Sequence, residues 1–184
     1  MERLAANLIA QLRSNVVEAF DQLIEQYGDR LYWHIRRIVV QHEVAEDVLQ
    51  DTFTRVYLSI NDFRGETESS LTAWLYRIAT TSAIRVLNKH RRSIFSSIDS
   101  VRSDLLVTFE QEVDPSADEI LVRLQRAILS LPTKQQIVFN MRYYDELSFE
   151  QIAQATGDSV STLKTNYHYA VQKIKKQVSS IDIE

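Results

Sequence analysis

The sequence predicts an all-α protein: two helical domains joined by a linker, the C-terminal one a helix-turn-helix. Its 184 residues include only three Gly and two Pro, too few to punctuate the many turns of a β-rich fold. Apolar residues recur at helical spacing along most of the chain, and helix-capping residues separate the periodic stretches. The 45 % apolar content is sufficient for a buried core.

The first predicted domain covers residues 1–92. Its apolar stripe begins with Val16, Phe20, Leu23 and Tyr27, and Leu31, Ile35 and Ile38 continue it as a second helix. A third helix is expected from about Glu43 to Ile60. The stretch "NDFRGETESS" breaks the periodicity with a Gly and several capping residues, which predicts a loop. A fourth, long helix is expected from roughly Ser70 to Arg92.

Residues 93–119 have weak periodicity and are rich in Ser and acid, so we interpret them as a linker with short local structure. The second domain covers residues 120–184, with helices expected at 120–129 and 133–144. Ser148 with Gln151 predicts a capping box at the start of the next helix. Gly157 is expected to end that helix in a left-handed conformation.

The stretch "SFEQIAQATGDSVSTLK" has the spacing of a helix-turn-helix. Ala153 supplies the small residue where two helices cross, Gly157 the turn, and Leu163 the apolar residue that closes the core. The alternative is an ordinary helical hairpin. DNA reading is favoured because residues 159–178 contain four Lys, several hydroxyls and no acid.

The net charge of −4 would disfavour nucleic-acid binding if the charges were evenly distributed, but the basic residues are clustered, and the local field decides what a polyanion meets. Residues 64–93 form a second basic island, with six basic and two acidic groups, in which Arg and Lys alternate with Trp74 and Tyr76. This combination suits phosphate contact and base stacking on separated strands. The alternative is a core Trp beside a solvated basic face.

A third stretch, "EVAEDVLQDTFTRVY", places charged residues about one helical turn apart, which predicts a protein-docking face or merely a solvated one. The chain has no Cys, and its four His stand in no metal-binding or catalytic pattern. We therefore expect no catalytic residue, metal site, cofactor or small-molecule substrate. The N-terminal stretch lacks the apolar core of a signal peptide, and no apolar run approaches the length needed to span a membrane. A cytoplasmic location without membrane insertion is therefore expected.

Together, "AEDVLQDTFTRVY", "FRG…AWLYRIATTSAI" and "LPTKQQIVFNMRYYDELSFEQIAQATGDSVSTLKTNYHYAVQKIKK" resemble the sigma-70 family of bacterial RNA polymerase initiation factors, specifically the extracytoplasmic-function (ECF) class. The resemblance covers roughly residues 16–92 and 120–176. It implies a transcription initiation factor that binds core RNA polymerase and promoter DNA and does no covalent chemistry itself. An anti-sigma factor is a further partner that the class commonly has, although no residue here points to one.

The resemblance assigns three sets of residues. Those implied in docking to the polymerase clamp helices are Glu46, Asp47, Gln50, Asp51 and Arg55. Those implied in reading and opening the −10 element are Arg64, Trp74, Arg77, Thr80, Thr81, Arg85, Lys89, Arg91 and Arg92. Those implied in reading the −35 element are Ser161, Thr162, Lys164, Thr165, Asn166, His168 and Lys173. The helix-turn-helix domain would also contact the polymerase flap, and the linker would thread through the polymerase.

The sequence departs from the family pattern at four places, one of which is a loop between Phe63 and Trp74 that is about two residues longer than in many relatives. Thr81 stands where relatives often have Asn, and Lys164-Thr165-Asn166 stands where many have Arg-Ser-Arg. Asp158 lies in the turn where an apolar residue is usual, and we expect an added cap or local fraying there. Two other readings stay open: a stand-alone helix-turn-helix regulator that binds DNA as a dimer, and a helical interaction module without a DNA role.

Overall fold

The computed structural model describes residues 2–14, 17–93, 105–110 and 118–179, and every regular element in these ranges is helical. Side chains are described from residue 7 onward within those ranges, except for residues 90–93. The elements are α1 (Glu2–Arg13), α2 (Val17–Val39), α3 (His42–Ser59), a 3₁₀ turn (Ile60–Asp62), α4 (Glu68–Ser93), α5 (residues 105–110), α6 (Glu119–Leu129), α7 (Thr133–Tyr143), α8 (Phe149–Thr156) and α9 (Val160–Ser179).

Helices α2, α3 and α4 pack against one another to form the N-terminal domain. On α2 the inward stripe includes Leu23, Tyr27, Leu31 and Ile35, all fully buried. The predicted division of this stretch into two helices was wrong, because α2 continues through Gly28. An interior Gly costs a helix about 1 kcal/mol relative to Ala, which the burial of so long a stripe outweighs.

Helix α1 was not predicted, yet it packs against both α2 and α4. Ile9 and Leu12 are its inward residues, at 2 % and 0 % exposure. Their spacing of three residues is helical, but a stripe this short is a weak signal within a charged N-terminal stretch.

The C-terminal domain is formed by α6 to α9, with α7 and α6 both packed on α9. A small cluster that includes Ile128, Phe139 and Ala170 forms its own core. Both local predictions at α8 are confirmed: Ser148 and Gln151 form a capping box, and Gly157 follows the helix with φ of 80°. The described parts of the predicted linker are Ser93, the last residue of α4, the short helix α5, and residues 118 and 119 at the start of α6.

Replacing Ser148 with Ala is expected to destabilise the protein by about 1 kcal/mol, because the Gln151 amide loses its acceptor at the N-terminus of α8. Urea unfolding followed by circular dichroism measures this change. Ser69→Ala, at an exposed position in the first turn of α4, is the control and should stay within about 0.5 kcal/mol of the wild type. Equal effects of the two substitutions would contradict the importance of the cap.

The two domains pack on each other chiefly through α4 and α8. A buried polar network, here called the interdomain network, joins them. His34 Nδ1 lies 2.7 Å from Asp145 Oδ2, and His34 Nε2 lies 2.8 Å from Thr80 Oγ1. Arg37 donates to Asp145 Oδ1 at 3.1 Å, so the carboxylate has two partners in the N-terminal domain. His34 is fully buried and the Asp145 side chain is 3 % exposed.

Candidate nucleic-acid and polymerase interfaces

Helix α9 presents the predicted −35 residues on an open surface. Leu163, Ala170 and Ile174 face the core, which turns the opposite face outward. Six of the predicted residues are exposed and Asn166 is half-buried; the exposed ones are Ser161, Thr162, Lys164, Thr165, His168 and Lys173. Ser159 accepts a hydrogen bond from the Thr162 amide at 3.2 Å and so caps the start of the helix.

Local contacts orient several of these side chains. Lys164 Nζ lies 5.8 Å from the centre of the Phe149 ring, which holds the ammonium above α8. Lys173 donates to Gln135 Oε1 at 3.2 Å and therefore leans toward α7. Six of the seven predicted −35 residues are thus exposed along α9, with Lys164 and Lys173 toward the two ends of the set.

Asp158 does not provide the added cap of α9 that was one of the two expectations for it. Its carboxylate accepts from Lys134 Nζ at 3.2 Å, so it connects the turn to the start of α7. Ser159 is the residue that caps α9.

Helix α4 carries the predicted −10 residues, and the structure divides them between two faces. Arg77, Thr81, Arg85 and Lys89 are all exposed and follow one another at intervals of four, which makes a straight polar stripe. Thr80 is not part of that stripe, because it is 7 % exposed and its hydroxyl is bonded to His34. The side chains of Arg91 and Arg92 lie outside those that the structure describes.

The two remaining −10 residues are Trp74, in the second turn of α4, and Arg64, in the loop before the helix. Trp74 is half-buried and stacks on Phe63, with ring centres 4.8 Å apart and an interplanar angle of 28°. Arg64 is exposed in the loop between the 3₁₀ turn and α4. An aromatic pair next to a basic stripe is an arrangement that can stack an unpaired base and hold its phosphate.

Helix α3 separates the predicted docking residues into an exposed set and a half-buried pair. Glu46, Asp47 and Gln50 are exposed. Asp51 instead accepts from Arg55 Nε at 2.6 Å and from Ser82 Oγ at 3.0 Å, which ties α3 to α4. The hydrogen bond from Arg55 holds the pKa of the Asp51 carboxyl below its usual range, although partial burial opposes the shift. Asp51 therefore stays ionised, and it stabilises the packing of α3 on α4 in addition to any part in docking.

Sequence reasoning missed Arg13, which lies against the loop before α4, and the His34–Asp145 contact. His34 and Asp145 are 111 residues apart, so no local pattern could pair them. Within the described residues no helix is long and apolar enough to cross a membrane. The same residues contain no group of three metal-ligating side chains.

Two families match successive parts of the chain. Sigma-70 region 2 matches residues 23–93, which covers most of α2 and all of α3 and α4. Sigma-70 region 4 matches residues 121–174, which covers the helix-turn-helix and the helices that support it.

Curated relatives match over nearly the full length. The ECF RNA polymerase sigma factor SigW of Bacillus subtilis is 28 % identical over 192 residues, covering 98 % of this chain and 100 % of SigW. The ECF RNA polymerase sigma-E factor of Escherichia coli K12 is 26 % identical over 182 residues, covering 95 % of this chain and 94 % of that protein.

Solved structures share the fold. CnrH in complex with the cytosolic domain of CnrY superposes with a TM-score of 0.70 at 21 % identity, covering 96 % of this chain and 98 % of that one. The sigma factor RpoE in complex with the anti-sigma factor NepR from Bartonella quintana gives 0.68 at 17 % identity, covering 88 % and 98 %. The all-α, two-domain prediction is therefore confirmed, and the chain belongs to the sigma-70 family as an ECF sigma factor, which directs RNA polymerase to promoters.

Proposed function

We propose that the α9 face from Ser161 to Lys173 reads the −35 element and that the α4 stripe with Trp74 reads and opens the −10 element. The observation that carries this proposal is the division of exposed basic surface between two domains, each of which matches a different sigma region. Lys164 and the α4 arginines would contact phosphates. Thr165 and Asn166 would contact base edges, where a bidentate Asn–adenine pair is worth about 1–3 kcal/mol.

The protein would supply binding free energy and no covalent chemistry, which we assign to the polymerase. Docking of α9 in the major groove would hold the duplex in register. Stacking of unpaired bases near Trp74 would offset the unpairing cost of a few kcal/mol per base. The exposed acidic residues of α3 would bind the polymerase.

The proposed reading of both elements at once requires the domains to separate. The −10 and −35 elements are about 25 base pairs apart, or roughly 85 Å at 3.4 Å per base pair. A compact chain of this length has a radius of gyration of only about 16 Å. With α5 kept helical and the rest extended, residues 94–118 can span roughly 70–80 Å, so the chain between the domains is long enough for the change.

The direct test is run-off transcription with core polymerase on a promoter library. Discrete start sites that depend on the protein and on both elements are expected, and no such sites on any promoter would overturn the proposal. A stand-alone DNA-binding regulator would instead bind duplex tightly without polymerase. Gel-shift measurements with and without core polymerase separate the two functions.

Lys164→Glu is expected to lower promoter-dependent transcription about tenfold, since it replaces a phosphate-facing cation with a repelled anion. Lys176→Glu is the matched control, because it makes the same charge change on the same helix about 18 Å further along its axis, beyond the last proposed −35 residue. Run-off transcription at several salt concentrations measures both variants. An equal loss in the two would attribute the effect to overall charge and not to −35 reading.

A further inference from the structure

Arg13, the last residue of α1, reaches across to the loop at residues 63–67 that leads into α4. Its Nη2 donates to the carbonyl oxygens of Phe63 at 2.8 Å and Gly65 at 3.0 Å. The guanidinium also lies 5.9 Å from the centre of the Phe63 ring. A single side chain therefore holds both the backbone and one ring of this loop.

The loop has little freedom to take another shape. A Cβ at Gly65 would lie 2.3 Å from Ser70 Oγ and 2.4 Å from Cζ of Phe63, so any other residue would force these side chains to move. Thr67 and Ser70 exchange hydrogen bonds between their backbone amides and side chains, each at 3.2 Å, which caps the start of α4.

The contact continues from Arg13 to the proposed −10 surface. Phe63 lies under Arg13 and stacks on Trp74. Arg64, whose side chain is exposed, lies between the two residues whose carbonyls Arg13 binds. Arg13 thus contacts both the ring that stacks on Trp74 and the backbone on either side of Arg64.

The position of the Arg13 guanidinium leaves one of its hydrogen-bond donors buried and unpaired. Its Nε is buried and has no hydrogen-bond partner among the described groups. An unpaired buried donor is unfavourable, which offsets part of what the two hydrogen bonds to the loop contribute.

We infer that Arg13 is a positioning residue for −10 reading: it pre-organises the Phe63–Gly65 loop so that Trp74 and Arg64 meet the opened strand without a further ordering cost. This inference rests on the proposed function. Arg13 lies before residues 23–93, the part that matches Sigma-70 region 2, and so adds α1 to the reading surface. Lysine cannot substitute for it, because an ammonium lacks the planar fork and stacks poorly on a ring.

The test compares wild type with Arg13→Lys in complex with core polymerase. Permanganate footprinting reports strand opening, and transcription from a library randomised in the −10 element reports base preference. Arg13→Lys should slow opening about tenfold and flatten the −10 preference, while core affinity and −35 preference stay unchanged. Unchanged opening and base preference would overturn the inference.

A matched control comes from the other domain. Arg142 Nη1 also donates to a carbonyl, that of Leu147 at 3.2 Å, and its guanidinium also lies over a ring, 5.6 Å from the centre of Phe149. Arg142→Lys should leave the −10 preference as in the wild type. If it flattened that preference as much as Arg13→Lys does, the effect would be one of general stability and the inference would fail.

A second variant keeps the inference testable if Arg13→Lys does not fold. Gly65→Ala displaces the same loop with Arg13 intact and should flatten the −10 preference in the same way. A normal preference in folded Gly65→Ala would contradict the inference. If the wild type itself gave no promoter-specific transcripts, the proposed function would be wrong. The other contradicting outcomes would overturn only the inference about Arg13.

Discussion

Replacing Glu46 and Asp47 together by Lys is expected to weaken binding to core polymerase about a hundredfold or more while leaving the helical content unchanged. Both residues are exposed on α3, on the face proposed to dock on the polymerase. Reversing two charges turns attraction into repulsion across that interface, and juxtaposed like charges cost several kcal/mol. Fluorescence anisotropy of labelled protein titrated with core polymerase measures the affinity.

The structure shows why these two residues are a better test than Asp51. The only described partner of Glu46 is His42, whose Nε2 lies 3.5 Å from Glu46 Oε1, with both side chains 60 % exposed. Such an exposed pair contributes little to stability. Asp51 is bonded to Arg55 and Ser82, so Asp51→Arg would disturb the contact between α3 and α4 as well as the docking surface.

The control for this prediction is the double substitution of Glu25 and Gln26 by Lys on α2. Both positions are exposed, and they lie outside the proposed docking face. Near wild-type affinity is expected for this variant. Equal losses in the two double variants would mean that the net charge of the domain, and not the α3 face, controls polymerase binding.

Local features were predictable from the sequence where a few neighbouring residues determine them. The Ser148–Gln151 capping box and the left-handed Gly157 follow from residue chemistry at fixed offsets, and both are confirmed. Leu163 was expected in the core from helix-turn-helix spacing and is fully buried. The ends of α3, α4, α6 and α7 agree with the predicted ends to within about two residues, as capping signals allow.

Features that depend on distant contacts were not predictable. Thr80 belongs to the same helix as Arg77, but a step of three residues turns it toward the core, where His34 from α2 bonds it. Likewise, Arg13 resembles an ordinary basic residue at a helix end until the fold brings the Phe63 and Gly65 carbonyls to it, 50 and 52 residues further along. Periodicity identifies which face of a helix is buried, but it does not identify the partner on the other side.

Removing the Asp145 carboxylate by Asp145→Ala is expected to destabilise the packing of the two domains by about 3 kcal/mol. Taking one partner from a buried ion pair leaves the other charge or dipole uncompensated, which costs roughly 3–5 kcal/mol. The lower end applies because the Arg37 side chain is 20 % exposed and can recover contact with water. His34 is fully buried and loses the acceptor at Nδ1 outright.

This loss should appear as separation of the domains before either one unfolds. The described side-chain partners of Asp145, His34 and Arg37, both belong to α2 in the other domain, so the C-terminal domain does not need the carboxylate for its own packing. Because the chain has no Cys, two introduced cysteines, at the exposed positions Gln26 and Lys175, can carry a donor and an acceptor dye. Energy transfer between them then reports domain separation directly.

The neighbouring substitution Glu146→Ala is the control, since that side chain is exposed on the same turn. Asp145→Ala should lower energy transfer in the free protein, whereas Glu146→Ala should retain the wild-type value. Core polymerase should lower transfer in all three proteins, because the −10 and −35 elements lie farther apart than the packed domains can reach. Unchanged transfer in Asp145→Ala would show that the apolar contact between α4 and α8 holds the domains together without the interdomain network.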